Sequence, residues 1–240
     1  MKNALLTTAA LVGAMFLTAG AASAAVITAT TPTWQNPQGA SVTYSSSGVG
    51  NNTYTNVLWG SGSQFSGLGF NPANPPSLDV PVDTTFLLGN LRHYNNPIPG
   101  FVDVPNSVDL ALATSVAGAT PVNPSFLYRF FIDETENARP CAYPSTTPCA
   151  DRITFSNLDT TNAFVLGSVS YTIALTGFSS DGTNFTNAFI SQEGTTNTVG
   201  LYGRITAATA VPEPASIAIF GAGLAGLGLA RRRKAVAQAG

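Results

Sequence analysis

Residues 169–175 read Val169-Ser170-Tyr171-Thr172-Ile173-Ala174-Leu175, and residues 108–112 read Val108-Asp109-Leu110-Ala111-Leu112. Larger apolar side chains alternate with polar or small ones in both stretches. This is the pattern of a β-strand that buries one face and leaves the other in water. No segment between the chain ends keeps the 3.6-residue period of a helix, so we expect the body of the chain to be β-structure.

Similar short runs, rich in Val, Ile, Thr, Tyr and Phe, recur along the chain between clusters of Gly, Pro, Asn and Ser. Short strands with turn signals at this spacing predict an all-β fold, an antiparallel β-sandwich of jelly-roll type. A terminal signal helix and a transmembrane helix would flank it. The candidate strands are residues 40–46, 55–60, 63–70, 84–88, 107–116, 125–132, 152–155, 164–176, 184–191 and 198–206.

The chain of 240 residues is poor in charge, with 9% charged residues where soluble domains average about a quarter. Residues 25–211 contain five Arg, no Lys and eleven acidic residues, a formal charge of −6. A body without a basic stripe cannot neutralise a phosphate backbone, which excludes nucleic-acid binding. The low charge favours an exported protein.

The N-terminal residues have the order of a secretory signal peptide. Lys2 precedes an apolar run over residues 4–19, and the small residues Ala22 and Ala24 precede Ala25. We expect a signal peptide over residues 1–24, cleaved before Ala25, and hence the Sec machinery and signal peptidase as partners. The alternative is a retained membrane anchor, which the short apolar run and the cleavage site disfavour.

The C-terminal segment combines three parts in order. The motif Val211, Pro212, Glu213 and Pro214 precedes a Gly-rich apolar stretch over residues 215–230, and the basic residues Arg231, Arg232, Arg233 and Lys234 follow it. Sixteen apolar residues are near the lower limit for crossing a bilayer, and the basic cluster would stay in the cytoplasm. On physical grounds alone, a permanent single-pass anchor remains open.

This arrangement resembles the PEP-CTERM sorting signal of Gram-negative bacteria, over residues 211–234. The resemblance implies recognition by exosortase, a membrane protease-transpeptidase, and association with exopolysaccharide and biofilm matrix. The chain would be held in the inner membrane by its helix before processing and would then reach the cell surface or the matrix. We accordingly expect a β-sandwich domain over residues 25–205, a linker over 206–210, the sorting signal, and a tail over 235–240.

The body also resembles a β-domain of bacterial surface proteins, the choice-of-anchor or THxN-motif group. The similar stretches are residues 33–36, 57–60, 66–70, 86–98 and 134–155. His93 and Asn95 fit the motif that names the group, whereas Arg92 stands where the group has Thr. This resemblance implies fold and location, and it leaves the chemistry open.

Cys141 and Cys149 are the only cysteines, and they flank a Pro-rich segment of a chain that we expect to be exported. A local disulfide is the natural interpretation in an oxidising compartment. A zinc pair would need further Cys or His ligands nearby, and the sequence has none there.

The densest charge lies around Asp133, Glu134 and Glu136, with Asp151 beyond the second cysteine. Hard oxygen ligands on a loop held by a disulfide could bind Ca²⁺, which is the one cofactor that the sequence suggests. The alternative, which we favour at this point, is pairing with the nearby arginines. These are Arg129, Arg139 and Arg152.

His93 is the single histidine, so a catalytic triad or a multi-histidine zinc site would depend on it alone. Neither a G-x-S-x-G nor an H-E-x-x-H motif is present. We expect His93 and Asn95 to fix a tight loop before Pro97 through hydrogen bonds to the backbone.

The sequence therefore predicts a non-enzymatic surface protein with no catalytic residues. The first alternative is a carbohydrate- or calcium-binding adhesive module, in which exposed aromatic rings stack on sugars. Such rings more often fill a core, Trp59 above all. The second alternative is a surface glycoside hydrolase, which needs two carboxyl groups in one cleft. The aromatic candidates are Trp34, Tyr44, Tyr54, Trp59 and Tyr94.

Overall fold

A computed structural model describes residues 24–60, 65–73, 78–98, 103–145, 148–157 and 163–207. This part of the chain is all-β, with a single 3₁₀ turn at Gly50–Asn52. Its strands are β1 (Ala25–Gln38), β2 (Thr43–Ser47), β3 (Tyr54–Trp59), β4 (Ser66–Pro72), β5 (Leu78–Val80), β6 (Thr85–Asn95), β7 (Ser107–Val116), β8 (Ala119–Thr120), β9 (Ser125–Asp133), β10 (Asp151–Asn157), β11 (Phe164–Leu166), β12 (Val169–Ser179), β13 (Ala188–Ser191) and β14 (Thr195–Ala207).

The strands form two antiparallel sheets in a sandwich-like arrangement. Sheet A has the order β13-β10-β9-β7-β1-β5, and sheet B has the order β2-β3-β4-β6-β14-β12-β11-β8. The short connection between β13 and β14 passes from sheet A to sheet B. The ends of β6 and β14 pair at that point, with Asn95 opposite Thr195.

The core lies between the inward faces of the two sheets. In β12 the alternation holds through Leu175, with Tyr171, Ile173 and Leu175 buried, and Phe178 and Ser179 are buried beyond it. Hydrogen bonds also join the two sheets directly. Tyr128 Oη in β9 donates to the Ile173 carbonyl at 3.0 Å, and Trp34 Nε1 in β1 donates to the Thr55 carbonyl at 2.7 Å. The sheets are therefore joined by specific polar contacts as well as by apolar burial.

The longest strand, β1, is absent from the predicted set. Its sequence contains Pro32 and Pro37 and lacks clear alternation. Beyond Ile27 the strand pairs with β7, and no other described strand pairs with its second edge. A free edge tolerates proline, because no ladder hydrogen bond is lost there.

The predicted jelly-roll order stays a prediction, and so do the terminal helices. Residues 1–23 and 208–240 lie outside the described part, and with them most of the signal peptide and the whole sorting signal. Ala24 precedes β1, and Ala25 is its buried first residue. Among the described residues, no helix is long and apolar enough to cross a membrane.

Candidate functional site

Strand β6 carries His93 and Asn95 into the interior. Successive side chains of a strand point to opposite faces, so His93 and Asn95 share the inward face with Leu91. Both side chains are 0% exposed. The expectation that they lie in a tight loop before Pro97 is wrong, because β6 continues through Asn95; of the expected hydrogen bonds to the backbone, Asn95 makes one, to the Ser191 carbonyl.

Two predicted acidic residues meet this face from sheet A. Strand β9 ends at Asp133, so Glu134 follows it directly, and β10 begins at Asp151. One ligand atom each of His93, Glu134 and Asp151 lies within 4.8 Å of the others. Asp151 is 0% exposed and Glu134 is partly buried.

Glu193 joins them from the connection between β13 and β14, and its side chain is 5% exposed. It contributes a charge interaction to the titration of both Glu134 and Asp151. We call these five residues the buried polar cluster: His93, Asn95, Glu134, Asp151 and Glu193.

Thr135 and the disulfide organise the sheet A side of the cluster. The Thr135 backbone N–H donates to Asp151 Oδ1 at 2.7 Å, which fixes that carboxyl group. The Thr135 hydroxyl lies 3.3 Å from the Cys149 carbonyl and 3.1 Å from that of Ala150. Cys141 and Cys149 form the predicted disulfide, with their Cα atoms 5.1 Å apart. The cross-link therefore lies next to the segment that holds Asp151.

Several polar atoms of the cluster have no hydrogen-bond partner. Asn95 Nδ2 donates to the Ser191 carbonyl at 2.9 Å, whereas Asn95 Oδ1 accepts no hydrogen bond from the described residues. Both ring nitrogens of His93 are buried without a partner. The remaining unpartnered atoms are Asn95 Oδ1, Glu134 Oε2, Asp151 Oδ2 and both carboxylate oxygens of Glu193.

Burial controls how these groups titrate. Desolvation, reinforced by the neighbouring carboxylates, raises the pKa of Glu134 to about 8. Desolvation likewise raises the pKa of Asp151 to about 7, although the Thr135 amide and the Asn95 side chain favour its charged form. The pKa of Glu193 is raised as well, chiefly by burial. Desolvation lowers the pKa of His93 to about 3, so its imidazole is neutral at physiological pH.

Trp59 lies beside the cluster at the end of β3. Its ring centroid is 5.9 Å from that of His93, and the two planes are tilted by 31°. Trp59 Nε1 has no hydrogen bond of ordinary geometry, yet it is close enough to Glu134 to lower that residue's pKa slightly. The indole thus forms one wall of the cluster.

The other predicted acidic residues stay outside the cluster. Asp133 accepts a hydrogen bond from Tyr143 and pairs with Arg152 at 3.2 Å, while Glu136 is exposed. Pairing with arginine, which we favoured for the whole acidic segment, thus occurs at Asp133. Neither of the two ion pairs found in the described ranges involves Glu134, Asp151 or Glu193.

A cavity of about 340 Å³ opens beside the cluster. Glu134 and Thr135 line it together with exposed residues of the same segment, among them Glu136 and Arg139. Glu134 therefore connects this open cavity with the interior.

The aromatic candidates divide between the core and the surface. Trp34, Tyr54 and Trp59 are buried, whereas Tyr44 is 53% exposed. On the outer face of sheet B, Tyr94 lines a groove of about 300 Å³. The other residues of that groove are Ser45, Ser47, Asn56, Leu58, Phe65 and Asn96.

Comparison with known proteins identifies the C-terminal segment. Residues 210–234 match the family model described as the PEP-CTERM protein-sorting motif. No curated protein matches the chain. The match ends at the basic cluster and covers all three parts of the C-terminal segment. The resemblance of the β-domain to the choice-of-anchor group stays a prediction. The motif supports a PEP-CTERM protein, which is exported and sorted through exosortase.

Proposed function

We propose that this protein is a non-enzymatic component of the bacterial cell surface, associated with exopolysaccharide or biofilm matrix. The observation that carries the proposal is the sorting motif at residues 210–234, which follows the last strand of a β-domain. In this proposal the β-domain is the part that is displayed, and it belongs to the choice-of-anchor group. The presence of His93, Asn95 and Glu134 in one cluster supports that assignment, because all three lie in the stretches that carry the resemblance.

The proposed sequence of events begins with export and removal of residues 1–24. The disulfide then forms outside the cytoplasm, while the helix over residues 215–230 holds the chain in the inner membrane. Exosortase processes the chain near Pro212, Glu213 and Pro214. The basic residues 231–234 stay on the cytoplasmic side until processing releases the displayed domain.

The geometry of the acidic residues favours a role without catalysis. A glycoside hydrolase places two carboxyl groups on either side of the bond that it cleaves, about 5–9 Å apart in an open cleft. Glu134 and Asp151 do approach each other, but Asp151 is 0% exposed and does not line the adjacent cavity. Of these two carboxyl groups, only that of Glu134 lines the cavity. Asp133 and Glu136 line it as well, but Asp133 is paired with Arg152 and hydrogen-bonded by Tyr143.

The matrix role can be tested by co-sedimentation. The full-length chain, produced with export and purified in mild detergent, would be mixed with the producer's own exopolysaccharide and with an unrelated dextran. We expect saturable binding to the producer's polymer alone. Equal binding to both polymers, or binding to neither, would contradict a specific matrix role and leave sorting as the supported function.

Direct sugar recognition is a second candidate, and the groove on sheet B favours it. Phe65 is 42% exposed there, beside the ring of Tyr94. Asn56 Nδ2 donates to Ser47 Oγ at 3.0 Å, and Asn56 Oδ1 accepts from Tyr94 Oη at 3.1 Å. Aromatic faces next to fixed amide and hydroxyl groups are the usual means of holding a sugar ring.

This candidate has a matched pair of variants. Phe65→Ala removes an aromatic face from the groove, whereas Tyr44→Ala removes an exposed ring that does not line it. If the groove binds sugar, the first variant weakens polymer binding about tenfold or more and the second leaves it unchanged. Equal affinity in both variants would refute a role for the groove.

A further inference from the structure

The buried polar cluster contains more hydrogen-bond acceptors than donors. Within the described residues, five carboxylate or amide oxygens have no hydrogen bond of ordinary geometry: Asn95 Oδ1, Glu134 Oε2, Asp151 Oδ2 and both of Glu193. Asn137 and the Gly194 amide are nevertheless close enough to Glu193 to favour its charged form. Each such buried acceptor costs free energy unless something satisfies it. No arginine of the described segments pairs with any of these carboxyl groups.

His93 brings an available nitrogen to the same place. Its ring is fully buried, and a neutral imidazole carries a lone pair on one nitrogen. That nitrogen has no hydrogen-bond donor to accept from within the described residues. The cluster thus adds a free imidazole ligand to an excess of carboxylate oxygens.

A single bound ion would resolve both features. We propose that the buried polar cluster binds one divalent transition-metal ion, of which Zn²⁺ and Mn²⁺ are the representatives to test. His93, Glu134 and Asp151 are its ligands, since their ligand atoms already lie within 4.8 Å of one another. Asn95 and Glu193 offer further oxygens, and the ion's positive charge offsets that of the carboxylates.

The donor set distinguishes this ion from the Ca²⁺ expected for the acidic segment. Ca²⁺ takes six to eight oxygen ligands and has little use for an imidazole. Imidazole nitrogen suits Zn²⁺ and other first-row divalent ions, and carboxylate oxygen also suits Mn²⁺. The proposed site therefore shares Glu134 and Asp151 with the acidic set read from the sequence, but it has His93 in place of Asp133 and Glu136 and binds a different class of metal.

The surroundings of the cluster have the features of a prepared metal site. Asp151 is oriented by the Thr135 amide, so one oxygen is held and the other is free to ligate. Such outer contacts typically fix metal ligands. The indole of Trp59 packs near the His93 ring, and Glu134 also lines the adjacent open cavity, so one proposed ligand lies at the boundary between the cluster and solvent.

The test measures metal binding by the full-length, oxidised chain in mild detergent. After the chain is stripped with a chelator and dialysed, we would add ZnCl₂, MnCl₂ or CaCl₂ and determine bound metal by elemental analysis. We expect one Zn²⁺ or Mn²⁺ per chain and no stoichiometric Ca²⁺. At a free metal concentration about 100 times Kd, Tm should rise by roughly 5–10 °C.

Two pairs of variants separate ligation from a general effect of acidity. Glu134→Gln and Asp151→Asn remove proposed ligands, while Glu136→Gln and Asp133→Asn make the same changes at neighbouring acids outside the cluster. We expect the first pair to lose affinity at least about 100-fold, more than typical outer-shell changes, and the second pair to bind as the wild type does.

The same variants give a second readout if one of them folds poorly. Glu134→Gln and Asp151→Asn each remove a buried charge, so without metal the Tm of each variant at pH 8 should equal or exceed that of the wild type. Added metal should not raise the Tm of either variant. Wild-type protein without stoichiometric Zn²⁺ or Mn²⁺ would overturn the proposal and leave the carboxyl groups sharing protons. Stoichiometric Ca²⁺, or unchanged binding in both ligand variants, would overturn it equally.

Discussion

Removal of the Cys141–Cys149 disulfide should destabilise the β-domain by an amount set by the loop that it closes. The two cysteines are separated by 8 positions in the sequence. In the chain-entropy model, closing a loop of that length raises the free energy of unfolding by about 2.5 kcal/mol. For a domain of this size the same loss lowers Tm by roughly 5–10 °C. The loop is short, so the predicted cost is near the low end for natural disulfides.

The assay is urea unfolding of the exported chain, followed by tryptophan fluorescence, with and without a phosphine reductant. A Cys141→Ser/Cys149→Ala double variant should match the reduced wild type and should not respond to reductant. Because Thr135 contacts the Cys149 and Ala150 carbonyls and also holds Asp151, we further expect the reduced chain to bind metal more weakly. A loss of stability below about 1 kcal/mol would refute the loop-closure reasoning.

Three further predictions concern the core and the cluster. The pKa of Glu134 is raised to about 8 and that of Asp151 to about 7, so metal-free protein should lose stability as pH rises from 6.5 to 8.5, above the range in which His93 titrates. Equilibrium unfolding should show this slope, Glu134→Gln should reduce it, and an equal slope in the variant would contradict the burial of Glu134. Tyr128→Phe removes the hydroxyl that donates to the buried Ile173 carbonyl, so the free energy of unfolding in urea should fall by about 1–3 kcal/mol. A decrease of less than about 0.5 kcal/mol would contradict a stabilising role for this hydrogen bond. Gly89→Ala places a Cβ against the Asn71 carbonyl oxygen, closer than the two atoms can approach, so the Tm of the variant should be clearly lowered. An unchanged Tm would contradict the close approach of β4 and β6.

The sequence predicted strands best where alternation is strict. Residues 107–116 form β7 with the predicted bounds, and in residues 169–175 the buried side chains are Tyr171, Ile173 and Leu175. The pattern is wrong at Asp109, which it places in water: that side chain is 1% exposed and pairs with Arg129 at 2.7 Å. β1 contains prolines and a Thr-rich run, so its sequence lacks the alternation that predicts a strand. The prolines are tolerated because one edge of the strand is partly unpaired among the described residues.

The site was predicted only in part, because its members come from separate strands. Asp133 and Glu134 are consecutive, so they point in different directions at the end of β9. The alternation through Tyr128, Phe130 and Ile132 was the available sign that Glu134, and not Asp133, continues the inward face. The alternation through Leu91, His93 and Asn95 was the available sign that both polar side chains face inward. We expected a loop there because Asn and Pro residues follow at once.

No local signal could have identified Glu193. It is a single acid in the turn between β13 and β14, without acidic neighbours. It enters the cluster because that connection passes from sheet A to sheet B, close to the end of β6. Such a contact depends on topology, which a strand pattern alone does not specify.

Exosortase-dependent processing is the most direct test of the functional account. The intact mass of the chain would be measured in the producing bacterium, in a strain without exosortase, and in a strain whose chain lacks residues 231–234. We expect the mature protein to lose its C-terminal segment near Pro212–Pro214 in the first strain and to keep it in the other two. An identical mature mass in all three strains would contradict the account.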